Sequence, residues 1–132
     1  MGLTEEQMIE ELRRNSEALN RGDFDAAIEL AAPDIVLVRP GGLGEVRGTE
    51  AVRAWMEPDA LESQRNELLD AEVVGSRVLT RQRVKARGAG SGIEMEVDVF
   101  TVWTFNDDGK ISRVESFTID EEDEARRTLR GE

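Results

Sequence analysis

The sequence predicts an α+β fold in which N-terminal helices pack against a long antiparallel sheet. Apolar residues recur at helical spacing before about residue 33, the spacing changes to two after about residue 65, and each later connection is short and contains glycine. Because a sheet of this kind buries one face against its helices, the alternation along its strands also locates a core or a pocket.

Two helices are predicted at the start of the chain. Thr4 and Gln7 stand at the spacing of a capping box, so the first helix is expected from there to about Asn20. Gly22 then favours a stop, and Asp23 is a suitable N-cap for the second helix. The apolar stripes are Met8, Leu12, Asn15 and Leu19 in the first helix and Phe24, Ala27, Ile28 and Ala31 in the second.

A strand and a third helix follow. Pro33-Asp34 is expected to end the second helix, and the β-branched run 35–38 is expected to form a strand that ends before Pro40. Residues 50–57 are expected to form a short helix after Gly48-Thr49. Its inner side would carry Val52, Trp55 and Met56.

The second half of the chain is predicted to be a four-stranded meander. The strands are expected at about 65–74, 77–87, 93–106 and 110–119, because short turns join them. The acidic run after them is expected to lead into a brief C-terminal helix or tail, with Asp120 as its N-cap. The whole of 1–132 is therefore expected to be one domain, ordered over about 3–129.

Composition excludes several classes of function. The 132 residues contain 29 Asp and Glu against 17 Lys and Arg, a net charge of −12, which opposes binding to nucleic acid or anionic membranes. The chain has no Cys, His or Tyr, so disulfides, thiolate nucleophiles and the usual transition-metal ligands are absent. No motif indicates a metal or a cofactor. No membrane span or signal peptide is recognised, and a cytoplasmic location is expected.

Strand alternation assigns side chains to two faces of the sheet. Pairing Arg87 with Glu94 would place Arg83 opposite Asp98 in a ladder of opposite charges on the outer face. A register that pairs Thr104 with Ile111 extends both faces to the last strand. The outer face then also carries Phe100, Val102, Arg113, Glu115, Phe117 and Ile119, and the inner face carries Val97, Val99, Thr101, Trp103, Val114, Ser116 and Thr118.

Each face has two interpretations at this point. The inner face is apolar but includes hydroxyls, which suits a small-molecule pocket or a filled core whose hydroxyls bond to the backbone. The outer face mixes charged and apolar residues, which suits a homodimer interface between stacked sheets or a solvated surface. The dimer interface would use Arg81, Arg83, Phe100, Val102, Glu115 and Phe117.

Four short segments are informative in their order and spacing. They are ALNRGD at 18–23, PDI at 33–35, GTEAVR at 48–53 and VWTFNDDGKI at 102–111. Through these segments residues 3–129 resemble the SnoaL-like branch of the nuclear transport factor 2-like superfamily. The resemblance implies a cone-shaped, cystatin-like fold, with a curved antiparallel sheet wrapped around three N-terminal helices, an open-mouthed cavity and usually a homodimer.

Relatives of this fold include ketosteroid isomerase, polyketide cyclases and noncatalytic carriers, so fold does not determine function. The resemblance places the isomerase's Tyr at Asn15, its base at Arg39 and its protonated Asp at Thr101. An Arg stays protonated and cannot serve as that base, so this isomerase chemistry is not expected and the catalytic residues are unknown. Asp34 and Asp120 are interpreted as turn and cap residues, respectively.

Two polar residues keep open roles. Arg39 is interpreted either as a bidentate clamp for a carboxylate or enolate in the pocket or as a rim salt bridge to Glu45 or another acid. Asn15 is interpreted as a ligand contact or as a satisfied amide. The Gly-rich segment 41–44 lacks the Lys-Ser/Thr of a phosphate-binding loop and is interpreted as a flexible loop at the cavity mouth.

The sequence therefore predicts a protein that binds a small hydrophobic or anionic organic ligand without a recognisable acid–base set. One alternative is an isomerase, cyclase or hydrolase acting on a hydrophobic carbonyl compound, and another is a protein-binding accessory module that uses the outer face. The predicted ligand-binding residues are Asn15, Leu37, Arg39, Trp55, Val99, Thr101, Trp103, Val114, Ser116 and Thr118.

Overall fold

The computed structural model describes residues 2–56, 61–88 and 90–132. The helices are α1 (Glu5–Asn20), α2 (Phe24–Ile28), α3 (Thr49–Met56) and α4 (Glu122–Leu129). The strands are β1 (Ala31–Val38), β2 (Glu45–Arg47), β3 (Leu61–Val74), β4 (Arg77–Gly88), β5 (Glu94–Phe105) and β6 (Ile111–Thr118). In the described part of the chain, no helix has the length and apolarity that crossing a membrane requires.

The six strands form one curved sheet in the order β2-β1-β6-β5-β4-β3. The antiparallel meander of β3 to β6 and the α+β class are confirmed. Strand β1 adds to the meander by pairing with β6 in parallel, and the short strand β2 extends the far edge. The sequence pattern did not indicate either pairing, because β2 has three residues and β1 lies about 70 residues before β6.

The N-terminal caps follow the sequence closely. Thr4 and Gln7 form the expected capping box, and the Asp23 side chain accepts a hydrogen bond from the amide of Ala26. Helix α2 ends at Ile28, before the expected stop. In α3 the predicted last residue, Glu57, lies outside the described residues.

The predicted start of β1 at residue 35 is wrong, because the strand begins at Ala31 and contains Pro33. Proline lacks the N–H that a regular ladder uses. It is tolerated here because the register with β6 is irregular between Ala31 and Val36, and Pro33 and Asp34 are exposed within that irregularity. The proline therefore marks a bulge instead of a strand boundary.

The predicted β4–β5 register is confirmed, with Arg87 opposite Glu94 and Arg83 opposite Asp98. The predicted pairing of Thr104 with Ile111 is wrong. Thr104 pairs with Arg113 and Phe105 with Ile111, since the ladder is irregular after Thr104. Over most of β6 the register differs from the predicted one by two residues, so each side chain keeps its predicted face.

The main core lies between α1, α3 and the inner face of the sheet. Met8 and Leu12 of α1 are 3% exposed, as their helical stripe predicts. The buried residues of this cluster are Met8, Leu12, Ile35, Leu37, Val52, Val78, Phe105, Ile111 and Val114.

Helix α4 covers the apolar part of the outer face. Ala125 and Leu129 pack on Phe100 and Val102, and Phe117 is partly buried beside them. Phe100 and Val102 are 3% and 0% exposed, so they are not available for the predicted dimer interface. A helix of the same chain takes the place that a second sheet was expected to occupy.

Polar contacts hold α4 in place. The Arg126 side chain pairs with Glu122 and, at 2.8 Å, with Glu72 of β3. The hydrogen bonds that Arg126 donates, to Glu122 foremost and to Glu72, raise the pKa of Arg126. The predicted cap role of Asp120 is wrong, because Thr118 and Glu121 form the capping box of the 3₁₀ turn that leads into α4.

Candidate functional site

A cavity of about 1290 Å³ lies between the inner face of the sheet and helices α1, α2 and α3. Cavities that bind small molecules usually have volumes of about 300–1,000 Å³, so this cavity is large enough to hold such a ligand. The cavity opens to solvent beside Arg21 and Trp55, and Trp55 is 48% exposed. The inner face is therefore the wall of an open pocket, and the filled-core interpretation is not supported.

Eight of the ten residues predicted from the sequence line this cavity. They come from α1, β1, α3, β5 and β6, and those on β5 and β6 show that strand alternation assigned the inner face correctly. These residues are Asn15, Leu37, Trp55, Val99, Thr101, Trp103, Val114 and Ser116.

Arg39 does not line the cavity, and it forms no ion pair with Glu45 or another acid in the described part of the chain, so the structure supports neither of its predicted roles. Its guanidinium folds back over the following loop, where Nη2 donates to the carbonyl of Leu43, while its backbone N–H donates to Gly44 at 2.9 Å. Glu45 pairs with Arg47 instead. The loop itself forms a 3₁₀ turn over Pro40–Gly42, and Pro40 lines the cavity.

Thr118 also lies outside the cavity. It is exposed at the end of β6, and its hydroxyl and backbone N–H both contact the Glu121 side chain. Its inner-face parity is correct, since Thr118 pairs with Val99. The strand ends there, however, and the capping role places the side chain away from the pocket.

A chain of uncharged polar side chains crosses the sheet at one wall of the cavity. The indole N–H of Trp103 donates to Thr80 Oγ1 at 2.9 Å, and that hydroxyl lies 3.3 Å from Gln82 Oε1. Gln82 Nε2 donates to Asn66 Oδ1 at 2.9 Å. Ser16 Oγ of α1 lies 3.3 Å from the same Asn66 oxygen. Buried polar groups are thereby paired with each other, as their desolvation requires.

The Asn20 side chain fixes the position of Asn66. Asn20 Nδ2 donates to the backbone carbonyl of Asn66 at 2.8 Å, and the backbone N–H of Asn66 donates to Asn20 Oδ1 at 2.6 Å. This two-point contact joins the end of α1 to β3. Sequence analysis did not identify Asn66 or Gln82, although alternation with Arg65, Glu67 and the β4 arginines was the signal for both.

Other polar atoms face the cavity without a protein partner. The Asn15 amide donates from Nδ2 to the carbonyl of Ala27 at 2.9 Å, and its Oδ1 accepts from no described residue. Thr101 and Ser116 are paired positions on β5 and β6, and neither hydroxyl contacts a described polar group. Asn15 is thus half satisfied by protein, and the cavity wall offers an amide oxygen and two hydroxyls.

The described wall of the cavity contains Arg21 as its ionisable residue, and Arg21 is exposed at the mouth. Asp98, the acid in the middle of β5, lies on the outer face as predicted. Its carboxylate contacts Arg83 at 2.9 Å and Arg81 at 2.8 Å. Hydrogen bonds from Arg83 and Arg81 lower the pKa of Asp98, and the bond to Asp98 raises the pKa of Arg83. Asp34 of β1 is exposed and does not line the cavity.

Comparison with known proteins agrees with this architecture. Residues 12–114 match the family model described as SnoaL-like domain. A search of curated proteins finds no significant match. Among solved structures, the chain is similar to SalBIII, an epoxide hydrolase/cyclase-like enzyme in pyran ring formation in salinomycin, with 19% identity over 86% of this chain and 92% of that one and a TM-score of 0.79.

Two further structures extend the comparison. An NTF2-like protein of unknown function from Burkholderia pseudomallei is 21% identical over 92% of this chain and 95% of that one, with a TM-score of 0.75. A putative polyketide cyclase from Sinorhizobium meliloti is 28% identical over 81% of this chain and 93% of that one, with a TM-score of 0.67. The resemblance drawn from four sequence segments is confirmed.

Proposed function

The chain belongs to the SnoaL-like domain family, and we propose that its function is to bind a small, largely hydrophobic organic molecule in the cavity between the sheet and the helices. The observation that carries this proposal is the cavity itself, about 1290 Å³ in volume. Its wall is mainly aliphatic and aromatic, with a few neutral polar groups, which is the usual chemistry of a small-molecule site.

The distribution of charge supports a hydrophobic ligand over an anionic one. Arg39, the cation expected to hold a carboxylate, contacts its own loop. Arg21 is exposed, so its charge is screened by water. A buried carboxylate would lose its hydration without gaining a buried cation from the described wall.

A neutral solvatochromic dye, Nile red, tests the proposal. The wild-type protein is expected to bind it with a blue-shifted, enhanced emission. Val99→Trp, which adds a large side chain to the cavity wall, is expected to weaken binding at least tenfold. Val74→Trp makes the same change at an exposed position outside the cavity and is the matched control. Absence of binding to wild type, or equal binding by the Val99 variant, would overturn the proposal.

A second candidate is an enzyme of the same fold, a cyclase, isomerase or hydrolase acting on a hydrophobic carbonyl compound. The 28% identity to a putative polyketide cyclase supports it. The cavity would then act through neutral donors, because the Thr101 and Ser116 hydroxyls have no partner among the described residues and would polarise a substrate's carbonyl oxygen. Incubation with a ligand that co-purifies, followed by mass spectrometry over time, separates the two candidates: turnover indicates an enzyme, and an unchanged ligand indicates a binding protein.

A homodimer and a cytoplasmic location stay predictions. The homodimer is proposed with an interface that excludes the apolar residues of the outer face, because α4 covers them. The protein-binding alternative relied on the same outer face, and the apolar residues that α4 covers cannot contact a partner protein.

A further inference from the structure

We infer that the Asn66 amide selects ligands that carry a neutral hydrogen-bond acceptor, such as the oxygen of a ketone, ester or ether. The inference rests on the proposed function, because it names the ligand class for the same cavity. Asn66 lies on β3, and its side chain lines the cavity.

The polar chain at the cavity wall begins at Trp103. An indole N–H can only donate, so the Thr80 hydroxyl accepts at 2.9 Å from Trp103. The Thr80 proton has two acceptors within reach, Gln82 Oε1 at 3.3 Å and the backbone carbonyl of Thr101 at 3.4 Å. Gln82 Nε2 donates to Asn66 Oδ1 at 2.9 Å, so the oxygen of the Asn66 amide, and not its nitrogen, is used by β4.

Asn66 ends this chain with its oxygen satisfied and its nitrogen unused. Asn66 Oδ1 accepts from Gln82 at 2.9 Å and from Ser16 at 3.3 Å. Asn66 Nδ2 donates to none of the residues that the structure describes, and Asn66 is part of the cavity lining. The two N–H groups of this nitrogen are therefore available to a ligand acceptor.

The amide is also held in place before any ligand arrives. The Asn20 side chain forms two hydrogen bonds, of 2.8 and 2.6 Å, with the backbone of Asn66. Gln82, which orients the side chain, is 6% exposed. A donor that is already oriented loses little conformational freedom on binding, so it discriminates between ligands more strongly than a mobile one.

The chemistry of this donor favours a neutral acceptor. An amide N–H carries a partial charge and does not repay the dehydration of a carboxylate. A ligand that presents only a donor would leave the Asn66 N–H groups unpaired. A carbonyl or ether oxygen satisfies them at a small desolvation cost, while the rest of the ligand contacts the apolar wall.

Two naphthalenes of matched shape test the inference. 2-Acetylnaphthalene carries a C=O group where 2-isopropenylnaphthalene carries C=CH₂. The Kd of the alkene divided by the Kd of the ketone measures how strongly the protein selects the oxygen. The ratio is expected to fall about tenfold in Asn66→Leu and in Asn66→Asp. The aspartate keeps an oxygen for Gln82 and Ser16 while removing the N–H donors. Gln64→Leu removes a cavity amide that takes no part in the polar chain, and it is expected to leave the ratio unchanged.

A Kd for 2-isopropenylnaphthalene, which has no acceptor for the Asn66 amide, within about twofold of wild type verifies that each variant keeps its cavity. An unchanged ratio in both Asn66 variants would overturn the inference. If both naphthalenes bind wild type equally and Val99→Trp blocks them, the inference fails and the proposed function stands. If neither the naphthalenes nor Nile red binds wild type, both fail.

Discussion

Asp98 shows how one residue joins the outer faces of two strands. Its side chain is 15% exposed and receives hydrogen bonds from Arg83 and Arg81. Because these bonds favour the carboxylate, the pKa of Asp98 is lower in the folded chain than in the unfolded one. The resulting stabilisation is complete above the ordinary Asp pKa of about 3.9 and is lost as pH falls through the lower folded value.

Asp98→Asn is expected to lower the free energy of unfolding at pH 7 and to reduce its dependence on pH below about 4. Urea unfolding between pH 7 and pH 2.5 measures both effects. Asp107→Asn, an exposed turn position without a described ion pair, is the control and is expected to leave the pH profile close to wild type. A profile for Asp98→Asn that parallels wild type throughout the acid range would contradict the assignment.

Thr80 is the residue on which the polar chain of the cavity wall depends. Thr80→Val preserves the shape but leaves the Trp103 N–H without its acceptor at 2.9 Å. We expect a loss of about 1–3 kcal/mol in the free energy of unfolding, measured with urea, and a changed Trp emission. Thr101→Val removes a hydroxyl with no described side-chain partner and is expected to cost less than about 0.5 kcal/mol. Equal losses in the two variants would argue against the network.

Single residues also show what a sequence pattern can predict. Alternation of period two was sufficient for the faces of Thr101, Trp103 and Ser116, because a strand places successive side chains on opposite sides. It was insufficient for Arg39, whose long side chain reaches back over its own loop. Asn66 was missed for a related reason: its importance comes from contacts with α1 and β4 that are distant in the chain.

Among the elements, α4 is the one whose position most changes the interpretation of the sequence. The sequence predicts a brief C-terminal helix or tail after the acidic run, but nothing in the local pattern specifies the surface on which this segment packs. Two apolar residues, Ala125 and Leu129, are enough to cover Phe100 and Val102. Local periodicity predicts that an amphipathic helix forms, whereas the surface it covers depends on the geometry of the whole sheet.

Leu129→Ala tests this packing. Leu129 is 2% exposed, so the truncation is expected to lower the free energy of unfolding by about 2–4 kcal/mol, measured by urea denaturation. The exposed neighbour Arg127 provides the control, and Arg127→Ala is expected to change the free energy by less than about 0.5 kcal/mol. A Leu129 variant as stable as the control would show that α4 is not anchored on the sheet.

For the whole molecule, net charge and self-association are linked. Each chain carries −12, so two chains repel each other before any contact forms. If the predicted homodimer exists, raising NaCl from about 20 to 200 mM is expected to tighten it, because the Debye length falls from roughly 20 Å to below 10 Å. Sedimentation equilibrium between about 1 and 100 µM measures the change. A single 14.7 kDa species at every salt concentration would contradict the homodimer.

The parallel pairing of β1 with β6 has a consequence for biosynthesis. Strand β1 is synthesised before every other strand of the sheet, yet its parallel partner β6 begins about 80 residues later. Strand β1 can pair early with β2, and β3, β4 and β5 can pair as soon as each turn is complete, but β1 has no partner in the meander until β6 is made. Such distant contacts slow folding and keep apolar surface exposed during synthesis. Because β1 and β6 both contribute to the cavity wall, the ligand site cannot be complete before β6 has been synthesised and has paired with β1.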